Sequence, residues 1–224
     1  MGTAPEFSEQ HCYNMIKTTS LTYSYDGKNT LSFPDIVCDP GQILLLLGQS
    51  GVGKTTLLHL LAGLMVPDEG SIVIDDNDMA KLNIGALDSF RGQNIGVVFQ
   101  RAHFVQSINV MENLMLAQSL AGSRVDKNAC LSVLASLNVD HKKSSYPRSL
   151  SQGELQRVSI ARALINKPKV ILADEPTSAL DDKNCNSVIE LLKEQSEKIN
   201  AALIIVTHDA RLKDVVDYQI ELHG

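Results

Sequence analysis

Gly48-Gln49-Ser50-Gly51-Val52-Gly53-Lys54-Thr55 fits the pattern G-x-x-x-x-G-K-[ST], and its setting decides the fold. It follows Ile43 to Leu47, a wholly apolar run of strand length, as expected of a strand covered on both faces. It opens Lys54 to Leu64, which reads as a helix with Leu57, Leu58, Leu61 and Leu64 on one side. A phosphate chain packs several negative charges into a small volume. Successive backbone N–H groups of a glycine-rich loop wrap such a chain, and the following helix N-terminus adds a favourable dipole. Glycines permit the close approach and the dihedrals this needs. Lys54 is expected to reach the terminal phosphates and the Thr55 hydroxyl to ligate Mg²⁺. A glycine-rich turn without a ligand is the plain alternative; the flanking strand and helix and the Lys-Thr pair weigh against it.

A second buried strand, Val170 to Ala173, ends in Asp174-Glu175. Adjacent carboxylates at the carboxyl end of a parallel strand lie where such sheets bind ligands. Asp174 suits the hydration shell of magnesium, and Glu175 the polarising of a water that attacks the γ-phosphate. Capping of the next helix is the other reading of this pair; the phosphate loop favours the first.

Around these two runs the chain alternates. Met15 to Tyr25 suits an exposed antiparallel strand, Asp26-Gly27-Lys28-Asn29 a turn, and Leu31 to Val37 a strand pairing back. Asp39-Pro40-Gly41 turns again, Pro67 to Gly70 turns before a strand at Ser71 to Ile74, and Ile95 to Phe99 is a further buried strand. From Arg101 to Tyr146 only helical periodicity is found, at Val110 to Ser119 and Lys127 to Leu137. Helices are expected at Gln152 to Ile165 and Asn184 to Lys198, with a last strand at Leu203 to Val206. The order implies an α/β fold with a mostly parallel sheet flanked by helices, an N-terminal antiparallel β part and an inserted helical subdomain at about 101–150.

Composition narrows the setting. The 224 residues suffice for one domain, and a net charge of −6 makes the whole molecule no obvious nucleic-acid binder. No apolar run approaches the roughly 20 residues that span a bilayer, so a membrane role requires a partner. Cys12, Cys38, Cys130 and Cys185 are scattered without CxxC spacing, which argues for reduced thiols and against a zinc site or disulfides. The N-terminus lacks a signal-peptide pattern, and Met1 to Phe7 is set aside as a cloning remnant.

Leu150-Ser151-Gln152-Gly153-Glu154, followed by Gln156-Arg157-Val158 and Ala161-Arg162-Ala163, resembles the signature of ABC-type ATPases. Asp174 to Asp181 resembles the same family's acidic strand end and following loop. Val206-Thr207-His208-Asp209 resembles its switch histidine, Gln100 its glutamine loop, and Tyr25 its adenine-stacking aromatic. Gln152 and Glu154 depart from the commoner Gly and Gln. The resemblance spans about Met15 to Leu222. It implies a P-loop NTPase core forming one ABC-type ATPase domain over 1–224, with ATP and Mg²⁺ as cofactors. ATP is then sandwiched between two copies in an ATP-dependent homodimer.

The resemblance also assigns residues. The nucleotide contacts fall to Tyr25, to Gly48, Gln49, Ser50, Gly51, Val52, Gly53, Lys54, Thr55 and Thr56, and to Gln100. Ser151, Gly153 and Glu154 contact the nucleotide held by the partner copy. Glu175, His208 and Lys54 are the expected catalytic residues, and Thr55, Gln100 and Asp174 the expected metal ligands. Ser151 followed three residues later by Glu154 also fits a helix N-cap, and the two roles are compatible. Gln100 suits a hinge between nucleotide state and the insert. Asp181 either communicates between the two sites or caps a helix.

The implied function is an ATP-hydrolysing motor of a transporter, peripheral on the cytoplasmic face of the inner or plasma membrane. Its integral membrane subunit is expected to dock near 101–115, and no nucleic acid is expected. Compact size and the Leu-Ser-x-Gly-Glu run resemble the lipoprotein-releasing, macrolide-export and cell-division ATPases. A soluble ABC ATPase acting on nucleic acid or ribosomes is the alternative, and a P-loop kinase a third; the latter leaves the signature and His208 unexplained.

Overall fold

The computed structural model describes residues 14–177 and 182–223, apart from the side chains of 182–186 and 210. Met1 to Phe7, Cys12 and Asp181 lie outside the described residues, as does the side chain of Cys185. The chain runs β1 (Ile16–Ser24), β2 (Thr30–Ser32), β3 (Val37–Cys38), β4 (Ile43–Leu47), α1 (Lys54–Leu61), β5 (Glu69–Ile74) and β6 (Asn77–Asp78). There follow α2 (Ile84–Asn94), β7 (Ile95–Val98), α3 (Val110–Leu120), α4 (Lys127–Ser136) and α5 (Gln152–Leu164). The last elements are β8 (Val170–Asp174), α6 (Asp182–Lys198), β9 (Ala202–Thr207) and β10 (Gln219–Glu221).

Two sheets result. In the first, β1 pairs antiparallel with β2, β3 and β5, and β5 with β6. The single return strand expected at Leu31 to Val37 is two short ones. Pro34 has no N–H to give a ladder, and the neighbouring donors find local acceptors instead. Ile36 N donates to Thr18 Oγ1 at 2.8 Å and Ser20 N to Asp35 Oδ1 at 2.6 Å. The second sheet is wholly parallel, in the order β10-β4-β9-β8-β7.

The parallel sheet separates two cores, which is why its strands are apolar throughout. Leu45, Leu47, Ile171, Ala173, Leu203 and Ile205 pack with residues of α3, α4, α5 and α6. Their neighbours Leu44, Leu46, Val170, Leu172, Ile204 and Val206 pack with α1 and the antiparallel sheet. Leu57, Leu58 and Leu61 are buried as expected, and so is Leu60. Leu64 is not: the helix stops at Leu61, Gly63 turns left-handed at φ 63°, and Leu64 is 45% exposed. The described residues between β7 and α5 include no strand, and α3 and α4 pack on each other and on α5. Asn113 fixes the loop ahead of them, accepting from Val105 N at 3.0 Å and donating to Val105 O at 3.2 Å. Among the described residues no helix is long and apolar enough to cross a membrane.

Candidate active site

Strand register brings the predicted residues to one edge. Leu47 lies opposite Thr207, Val206 opposite Asp174, and Ala173 opposite Val98. The residues just beyond these strand ends therefore gather at the carboxyl edge, where open parallel sheets bind ligands. A cavity of about 770 Å³ opens there, lined by Gly48, Gln49, Ser50, Gly51, Gly53, Lys54, Thr55, Thr56, Gln100, Glu175 and His208. Lys213 and Glu221, which the motifs did not single out, also line it.

The loop has the conformation its glycines allow. Gly51 and Gly53 sit at φ 91° and 94°, in the left-handed region that favours glycine. Gly53 caps α1 with no side-chain bond, so the first-turn amides keep their donor capacity for an anion. At Gly48 a Cβ would come 2.8 Å from Val52 Cγ2. Val52, expected among the nucleotide contacts, packs against the core and does not line the cavity. The Lys54 ammonium, nearly buried, donates to Gly48 O at 2.9 Å and Gln49 O at 2.8 Å and stands 4.0 Å from Glu175 Oε1.

Asp174 ends β8 facing Thr55, whose hydroxyl donates to Oδ2 at 3.4 Å. Its Oδ1 is buried with no hydrogen-bond partner. Burial, and then the charge of Glu175, push the Asp174 carboxyl above its ordinary range. An unpartnered buried carboxylate oxygen is costly unless something compensates it. Hard oxygens from Asp174 and Thr55 side by side suit a cation such as Mg²⁺, which keeps several waters and takes phosphate oxygens as its other ligands. Among the described residues no cluster of three His, Cys, Asp or Glu side chains is disposed to hold a metal.

Glu175 is held more firmly. Its backbone is left-handed, at φ 46°, and its N–H donates to Val206 O at 2.8 Å. Thr207 Oγ1 donates to Oε2 at 2.9 Å; His208 N donates to Oε1 at 3.2 Å, and His208 Nδ1 lies 2.7 Å from the same oxygen. Tyr25 stands beside the loop and not in the cavity lining. It is 68% exposed, its hydroxyl is 2.9 Å from Thr56 Oγ1, and its ring meets Tyr23 edge-on at 4.9 Å.

Ser151, Gly153 and Glu154 form a second group, none of which lines the cavity. Ser151 caps α5 in a reciprocal box: its hydroxyl accepts from Glu154 N at 3.4 Å, and its N–H donates to Glu154 Oε2 at 2.9 Å. That N–H, and then Lys142 at 3.2 Å, hold the Glu154 carboxyl down to about 2. Ser151 and Gly153 are exposed, and a Cβ on Gly153 would meet nothing within 4 Å. Two contacts tie α5 to the segments that follow Glu175 and Gln100 in the chain. Gln156 Nε2 donates to Pro176 O at 3.2 Å, and Arg162 donates to His103 O with its guanidinium 4.5 Å from the Phe104 ring centre. Neither contact is visible in the motifs, since both join residues far apart in sequence. Thr207 too was missed as a partner of Glu175; its place at the end of an apolar strand, before His208, was the available signal.

A glycine-rich loop at the head of a helix, facing carboxylates at the end of a parallel strand two places away, is the machinery of a P-loop nucleoside triphosphatase. The sequence profile of the ABC transporter family matches residues 34–178. A lipoprotein-releasing system ATP-binding protein LolD of Bacteroides thetaiotaomicron is 36% identical over 210 residues, 93% of this chain and 96% of that protein. A LolD of Xanthomonas campestris pv. campestris is 38% identical over 191 residues, 84% of this chain and 80% of its own length. The dimeric post-hydrolysis structure of the ATP-binding cassette MJ0796, bound to ADP and Pi, superposes with a TM-score of 0.81 at 30% identity, covering 93% of this chain and 94% of that one. The chain belongs to the ABC transporter family, as an ATP-binding and ATP-hydrolysing subunit. The nucleic-acid alternative draws no support from these relatives.

Proposed function

We propose that two copies of this chain sandwich ATP, each gripping a triphosphate with its own loop while the other copy's Ser151 and Gly153 complete the site. One observation carries this reading: Ser151 and Gly153 are exposed at the start of a helix, and they do not line the cavity formed by their own loop. A capped but exposed helix N-terminus keeps amides for an anion brought by a second molecule. That the similar cassette MJ0796 forms a dimer bound to ADP and Pi supports the pairing of two copies.

Within each site Gly48 to Thr56 hold the phosphates, Lys54 their terminal oxygens, and Tyr25 the adenine. Thr55, Asp174 and Gln100 hold Mg²⁺, which when bound neutralises charge on the phosphate oxygens. Glu175 accepts a proton from the attacking water as the water oxygen bonds to the γ-phosphorus and the bond from that phosphorus to the bridging oxygen breaks, releasing ADP. His208 keeps Glu175 in register and offers its exposed ring edge to the γ-phosphate. The helical segment 101–150 moves with nucleotide state, Gln100 acting as hinge, and an integral membrane subunit docks near 101–115. The LolD relatives favour lipoprotein release as the work performed. In this reading the chain works peripherally, on the cytoplasmic face of the inner or plasma membrane.

Mixed subunits test the shared site. Lys54→Ala and Ser151→Arg are each expected to abolish hydrolysis alone. Mixed, they form heterodimers with one intact composite site, because the intact loop and the intact Ser151 then come from different chains. Turnover that stays at background in every mixing ratio rules the arrangement out.

A further inference from the structure

We infer that Thr207 is a positioning residue that fixes the orientation of the Glu175 carboxylate. The inference rests on the reading of Glu175 as general base and adds what holds that base still. Thr207 ends β9 and is fully buried. Its Oγ1 has two neighbours, Asp209 N at 3.0 Å and Glu175 Oε2 at 2.9 Å. A backbone N–H can only donate, so Asp209 occupies an acceptor lone pair of the hydroxyl. The single hydroxyl hydrogen is thereby left to point at Glu175.

Asp209 is itself held in place. Its carboxylate accepts from Thr177 Oγ1 at 3.3 Å, and it takes Arg211 Nε at 2.8 Å and Nη2 at 2.6 Å. The chain of fixation runs from this ion pair to the Asp209 amide, to the Thr207 rotor, to Glu175 Oε2. The other carboxylate oxygen is taken by His208 N and Nδ1. With both oxygens tethered, the carboxylate plane cannot rotate about Cγ–Cδ. Without Thr207 it pivots on Oε1 alone, and the lone pair that receives the water's proton loses its fixed direction. Proximity effects of this kind depend on small displacements.

The test compares wild type, Thr207→Val, Thr207→Ser, Glu175→Gln and the double variant Thr207→Val/Glu175→Gln. Single-turnover hydrolysis, ATP affinity by titration and thermal melting are measured on the full chain. Thr207→Val is expected to slow the chemical step by about tenfold or more, the scale of a hydrogen bond to a charged group, with ATP affinity within about twofold. Thr207→Ser restores most of the rate, since it returns the hydroxyl. The double variant is no slower than Glu175→Gln, because a residue that acts through Glu175 has nothing left to act on. Thr207→Ala removes the same hydroxyl with less crowding and replaces the valine variant should that one not fold. A wild-type rate in Thr207→Val, no rescue by serine, or losses that multiply in the double variant overturns the inference and leaves the base assignment standing. A wild-type rate in Glu175→Gln overturns both.

Discussion

His208 Nδ1 lies 2.7 Å from Glu175 Oε1, although the histidine side chain is 62% exposed and the glutamate side chain 10%. An open ring thus tethers a closed carboxylate, and the tether joins the end of β9 to the end of β8. Deleting the ring as His208→Ala is expected to slow hydrolysis by about 10²-fold or more, the cost of losing a preorganised group, while ATP still binds. Phosphate release at saturating ATP reads the first quantity and nucleotide titration the second.

Glu175→Gln keeps the shape of the side chain and removes its basicity. Hydrolysis is expected to fall by about 10²–10⁴-fold, the usual worth of a positioned general base. Because ATP then persists, light scattering of this variant with ATP and magnesium should report a dimer. An unchanged monomer under those conditions counts against closure of two copies on nucleotide.

Gly53 carries φ 94°, and a Cβ there would press on Leu31 Cδ1 and Phe33 Cε1, each 3.2 Å away. Gly53→Ala is therefore expected to lower the melting temperature by about 2–8 °C, from the left-handed backbone term of about 1–2 kcal/mol. ATP affinity should fall with it, since the same dihedral shapes the phosphate loop. A melting curve and a nucleotide titration that both match wild type contradict this account of the loop.

Glu154 gives a pH signature. Its folded carboxyl loses its proton far more readily than the usual 4.5, at about 2, chiefly through the Ser151 N–H. Its contribution to stability is thus complete above pH 4.5 and fades as the pH falls toward about 2, where the folded carboxyl also protonates. The gap in melting temperature between wild type and Glu154→Ala should be constant near neutrality and close across that acid window. A gap that holds constant through the window rejects the capping assignment.

The parts of the fold that bury a face announced themselves. Ile43 to Leu47 and Val170 to Ala173 are unbroken apolar runs because each lies between two cores. The helix Ile84–Asn94 escaped notice because its inward stripe is thin: Leu87 and Phe90 pack against the core, but no residue of the helix is fully buried. Gln219–Glu221 is a three-residue edge strand, too short for alternation to register. At the site, Lys54, Asp174 and His208 were legible because phosphate chemistry demands fixed residue types at fixed spacing. Gln156 against Pro176 and Thr207 against Glu175 were not, since only the folded sheet brings those partners together.

The left-handed backbone at Glu175 sets robustness against turnover at a single position. A glycine would rest at φ 46° without steric penalty, but it would bring no carboxylate to the water. The gain would be partial, because the buried Thr207 hydroxyl and the nearly buried Lys54 ammonium would lose a carboxylate partner with it. The position thus joins a strained backbone to a well-bonded side chain, and the carboxylate is kept at the expense of the dihedral beneath it.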